Sequence, residues 1–205
     1  SATNYWGAAG GSATDGYTTS CYGNGSIGSP ATCNGNGDGW IALGPTATVI
    51  PELYLIWQHL ADAAMIPGAY SGVTGSASVA DSVIGVNTPG SRISSIAGYT
   101  VIGLYDNVDT TDYFNGINNC CVILIGAQPG GGTGTPVYSL FTTQEAYMVD
   151  KKIDDGLPGT GLVMTFKHDS VYAPNCSNSD NPAVAIYDFT VKSVSCVLLF
   201  SPGGR

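Results

Sequence analysis

Apolar residues recur at helical spacing over about residues 50–65, where Leu53, Ile56, Trp57, Leu60, Ala63 and Ala64 share one face. Pro51 stands in the first turn, where its missing N–H costs little, and Pro67-Gly68 stops the run. A shorter amphipathic helix is predicted over about 143–154. Thr142 is its N-cap, and Glu145 follows at capping-box spacing. Ala146, Met148, Val149 and Ile153 supply the apolar side, and Gly156 and Pro158 end it. Strands are predicted at 99–105, 120–125, 161–167, 183–192 and 194–200. The segment 120–125 is continuously apolar rather than alternating, the mark of a strand buried on both faces. Residues 1–45, 68–98 and 126–136 are rich in Gly, Ser, Thr, Asn and Pro and read as loops. With no repeat and no second compositional regime, the expectation is one α+β domain over 1–205. Its helices pack on an antiparallel sheet, among long Gly/Asn-rich loops.

Charged residues make up only 10% of the chain, against about a quarter in ordinary proteins. A polar but uncharged surface of this kind suits a secreted or cell-surface protein that packs against copies of itself. Six Lys+Arg against fifteen Asp+Glu leave a net charge of −9. That balance argues against nucleic acid and against an anionic membrane as partners. The longest apolar runs, at 122–125 and 196–200, are too short to cross a bilayer, so no membrane contact is expected of this segment.

The cysteines are Cys21, Cys33, Cys120, Cys121, Cys176 and Cys196, an even count that points to an oxidising compartment. Cys21 and Cys33 bracket a Gly-rich loop as a local staple, and Cys176 and Cys196 would then tie the last loop to the last strand. The partners of Cys120 and Cys121 stay open, because adjacent residues on a strand point to opposite faces.

Three segments carry a family resemblance: TNYWGAAGG at 3–11, ELYLIWQHLADAAMIPGAYSG at 52–72 and EAYMVDKKIDDGLPGTG at 145–161. In order and spacing they resemble the globular head of a bacterial prepilin-type protein, of the type IV pilin and type II secretion pseudopilin superfamily. The Trp-Gln-His-Leu helix and the Lys-Ile-Asp-Asp-Gly-Leu-Pro turn are the specific parts, and the C-terminal cysteine-containing strand fits as well. The resemblance implies a head whose antiparallel sheet packs against a hydrophobic stalk helix. That helix anchors the subunit in the inner membrane and later fills the filament core. It is absent from this sequence; the expectation is a processed or truncated polypeptide, with the stalk just upstream of Ser1 or on a separate chain.

Candidate chemistry is sparse. Asn34, Asn36 and Asp38 stand at positions 1, 3 and 5 of a calcium-loop spacing with Gly39 at 6, but position 12 is Pro45, which offers no side-chain oxygen. Asp150 and Asp154 share a face of the second helix and form a second candidate cation site. Asp155-Gly156 reads as a turn, and Asp106, Asp109 and Asp112 read as a solvated acidic loop. Asn24 and Asn175 begin glycosylation sequons. Trp57, His59 and Leu60 are assigned to packing within the head or against a neighbouring subunit. His59 and His168 lie in no paired-ligand spacing, and no nucleophile motif or phosphate loop is present. The expectation is therefore a non-enzymatic subunit of an extracellular pilus-like filament, assembling with other pilin subunits for adhesion, motility or uptake. The alternatives are a periplasmic pseudopilin and a secreted carbohydrate- or cation-binding module, with calcium the one cofactor in view.

Overall fold

The computed structural model describes residues 41, 52–72, 74–75, 81–104, 111–114, 119–130 and 134–202, with the backbone alone for Asn119 and Cys120. Asn24, Asn34, Asn36, Asp38, Cys21, Cys33, Asp106 and Asp109 lie outside the described residues.

Helix α1 spans Glu52–Asp62. It ends before the predicted 65 because Ala64 takes a left-handed backbone, φ 56°. The Met65 N–H then reaches the Leu60 carbonyl (2.9 Å) and the Ala64 N–H reaches that of Ala61 (2.9 Å), the paired bonds that close a helix C-terminus. Ala64 is thus an exposed terminator, not part of the apolar face. Leu53, Tyr54, Leu55 and Trp57 are buried instead.

Strands β1 (Ala97–Leu104) and β2 (Asn119–Ala127) pair antiparallel, with Ile123 opposite Val101. The two-residue β3 (Phe141–Thr142) leads directly into α2 (Thr143–Ile153). Then come β4 (Val163–Met164), β5 (Val194–Cys196) and β6 (Leu198–Phe200). One sheet runs β1-β2-β6-β4, all neighbours antiparallel, and β3 pairs with β5 in a second. Among the described residues no helix is long and apolar enough to cross a membrane.

Three strand expectations change. The predicted strand 194–200 is two strands: side chains keep alternating through Val197, yet β5 pairs with β3 and β6 with β2 and β4. Val197 and Leu199 enter one core while Cys196 and Leu198 enter the other. The segment 183–192 is no strand. Its alternation is real, with Ala185 and Tyr187 buried between exposed Val184 and Ile186. Turns at both ends, however, hold its pairing to one antiparallel bridge, Tyr187 with Ser177: Ala185 N–H bonds Asn181, and Val191 N–H bonds Asp188. The predicted 161–167 is laddered over two residues only, since Thr165 N–H turns to Pro158 and Lys167 N–H to Asp112.

The sheet separates two apolar clusters. One gathers Ile102, Phe114, Val122, Leu124, Met164, Phe166 and Leu199. The other gathers Ile125, Val163 and Leu198 under Ala146 of α2, with Phe141, Tyr187 and the Cys176–Cys196 pair. On α2 the buried stripe is Thr143, Ala146 and Asp150. Met148 and Ile153, expected on the apolar side, are exposed. Burial at i, i+3 and i+7 selects a polar stripe here because both polar members find partners, Thr143 through its hydroxyl to the Val191 carbonyl at 3.0 Å.

Candidate functional site

The densest group of functional side chains lies at the C-terminal end of α2. The carboxylates of Asp150, Asp154 and Asp155 approach within 4.8 Å of one another. Three acids at this end oppose the helix dipole, so each must be held by donors. The turn after the helix provides them. Gly156, at φ 80°, aims its N–H at Asp150 Oδ1 (3.0 Å). Asp155 accepts from the Leu157 N–H (2.8 Å) and the Thr160 hydroxyl (2.7 Å), the turn role expected of it. Asp154 Oδ2 accepts from the amides of Leu162 and Val163, and a side chain on Gly161 (φ 82°) would collide with that carboxylate.

Asp150 differs from its two neighbours. It is fully buried, and its other oxygen accepts the Tyr187 hydroxyl at 2.9 Å. Burial pushes this carboxyl up to about 6, with Asp155 and Asp154 adding to the rise and the Tyr187 and Gly156 bonds opposing it. The Tyr187 phenol is raised as well, by burial and then by the Asp150 charge. With both Asp150 oxygens occupied and turned inward, a cation from solvent would meet Asp154 and Asp155 first. Tyr187 escaped the sequence reading. The available signal was a tyrosine in an alternating apolar run, since a buried phenol needs a hydrogen-bond partner.

Cys176 and Cys196 form a disulfide, both fully buried, that brackets residues 177–195. The Thr165 hydroxyl donates to Cys176 Sγ at 3.2 Å. Tyr187 therefore sits in a loop pinned covalently at its ends and by hydrogen bond at its middle. Cys121 is half-buried on β2. Asn175 is exposed with φ 62°, while Ser177 of the same sequon is buried and donates its hydroxyl to the Ser179 carbonyl at 3.1 Å.

Asp112 corrects the solvated-loop expectation. It is buried, and Oδ1 accepts from the Ser170 hydroxyl (2.7 Å) and the Val171 N–H (2.9 Å), so it joins two loops. Of the packing residues, Trp57 is buried, while His59 and Leu60 are half-buried. His168 bonds the Ser177 carbonyl through Nδ1 (2.7 Å), which leaves Nε2 3.8 Å from Asp169.

A second feature is an apolar row across one sheet face. Val101, Ile123, Phe200 and Val163 stand opposite one another on successive strands. Val101 and Val163 are buried, but Ile123 is 38% exposed and Phe200 half-buried.

No protein-family model, no curated protein and no solved structure matches this chain.

Proposed function

We propose that the chain is the head of a pilin-type filament subunit, acting through self-assembly and surface display. The observation that supports this reading is the partly open apolar row at Ile123 and Phe200. On the same face, α2 and the disulfide cover Ile125, Val163 and Leu198. The occupant we assign to the open part is the hydrophobic stalk helix that the resemblance implies. A helix about 10 Å across covers about two strands spaced ~4.8 Å apart, the breadth of the Ile123–Phe200 pair. The sparse surface charge accords with close packing of subunits.

Electron microscopy of the source cells, with gold-labelled antibody raised against this chain, tests the reading. Label running along surface fibres is the expected result. Label only on short periplasmic assemblies would favour the pseudopilin role. Soluble, unassembled protein in the medium would overturn the filament reading altogether.

A further inference from the structure

We propose that closure of the Cys176–Cys196 disulfide gates an N-glycan acceptor site at Asn175: the open chain presents the sequon and the closed chain withholds it. Nothing in this depends on the filament reading. A sequon is defined by an asparagine and a hydroxyl two residues on, so a transferase must reach both groups on one stretch of chain. In the folded chain the two are separated. Asn175 is exposed, with a left-handed backbone at φ 62°. Ser177 is fully buried, and its hydroxyl donates to the Ser179 carbonyl (3.1 Å). Between them Cys176 is fully buried and bonded to Cys196.

Backbone contacts strap the sequon on both flanks. The Asn175 N–H donates to the His168 carbonyl (3.0 Å), and His168 Nδ1 lies 2.7 Å from the Ser177 carbonyl. On the other side Ser177 bridges Tyr187, and the Asp188 N–H donates to the Cys176 carbonyl (3.0 Å). Turning Ser177 outward breaks that bridge and the hydroxyl bond, and it pulls on a disulfide packed in the core beneath α2. Opening of this extent is a local unfolding of loop 177–195, and the crosslink at its two ends opposes it. Before the disulfide closes, both groups are open to an enzyme. Transfer then joins Asn175 Nδ2 to the anomeric carbon of a lipid-pyrophosphate-linked oligosaccharide. The bond from that carbon to the pyrophosphate oxygen breaks, the lipid pyrophosphate leaves with the electron pair, and the amide gives up one proton to the transferase. Because Asn175 is exposed in the closed fold, the attached sugar stays in solvent and the disulfide can still form.

Glycan transfer in vitro tests the gate. The full chain carrying Asn24→Gln, which confines the count to Asn175, is supplied either reduced or oxidised to purified oligosaccharyltransferase and its lipid-linked oligosaccharide. Peptide mass spectrometry reads the occupancy. The reduced chain should be modified, and the oxidised chain should react at about a hundredth of that initial rate or less. Cys196→Ser leaves the sequon itself unchanged and should restore transfer to the rate of the reduced chain, whether or not the variant folds. Oxidation after transfer should close the disulfide on the glycosylated chain, with a Tm within about 3 °C of the unmodified protein. Rates within about tenfold of each other for reduced and oxidised chains overturn the gate. A Cys196→Ser chain as refractory as the oxidised wild type overturns it too. Absence of transfer to the reduced chain removes Asn175 as an acceptor, and a glycosylated chain unable to close its disulfide overturns the outward placement of the sugar.

Discussion

The two ends of α2 use the same chemistry to opposite effect. At the N-terminus Thr142 and Glu145 cap each other: Glu145 N–H donates to the Thr142 hydroxyl oxygen (3.3 Å), and Glu145 Oε2 accepts from the Thr142 N–H (2.9 Å). The Glu145 carboxylate is exposed, lies at the positive end of the dipole and is held below the ordinary glutamate range, chiefly by the Thr142 amide and then by its hydroxyl. At the C-terminus Asp150 is buried, lies at the negative end and is pushed up by burial. One carboxylate favours its charge and the other resists it, because solvent exposure is lost and the dipole reverses between Glu145 and Asp150. A cap joins residues three apart, whereas Asp150 depends on a phenol 37 positions away.

The largest effect should come from severing the distant element. The double substitution Cys176→Ser/Cys196→Ser frees a loop whose ends are 20 residues apart and should cost about 3 kcal/mol in urea unfolding. The loss should fall on the C-terminal end and leave the capped end helical by amide exchange. Gly161→Ala comes next. It forces a side chain into a left-handed position against Asp154, for about 2 kcal/mol of lost stability. Equal stability to wild type would mean that the turn re-forms without the Asp154 bonds.

Thr142→Ala removes the other end's cap and should cost about 1 kcal/mol in the same unfolding assay. Glu145→Gln sharpens the contrast through pH. The Glu145 contribution is present above the ordinary glutamate range and lost as pH falls below it, the reverse of Asp150. The variant should therefore flatten the acid limb of the Tm profile and leave the neutral limb untouched. The smallest effect on the isolated head is expected for Ile123→Thr, below about 1 kcal/mol in its unfolding free energy, because the β-branched shape is kept and the site is already partly open. Under the filament reading the same variant should fail to enter fibres; fibres of normal number and length would remove Ile123 from the stalk contact.

What was legible follows one physical divide. Both helices were readable, because apolar periodicity and the Thr142–Glu145 box are local signals. Strands β1 and β2 were readable from their length and apolar content, each within two residues at either end. The 183–192 segment misled because alternating burial arises in any extended stretch, and its turns at Asn181 and Asp188 were decided by hydrogen bonds rather than by apolar content. Asp112 misled because an aspartate has the same sequence signature whether solvated or buried with donors.

By itself, then, the sequence determined an α+β chain with two capped or terminated helices, an antiparallel sheet and a C-terminal cysteine pair placed to close a loop. These rest on periodicity, turn chemistry and spacing, which act over a few residues. The tertiary structure alone decided that 194–200 divides between two sheets, that α2 buries Asp150 instead of Met148, and that Tyr187 supplies the partner. Those outcomes depend on which distant groups arrive to satisfy a buried donor or charge. That is a property of the packed chain, and no window of neighbouring residues contains it.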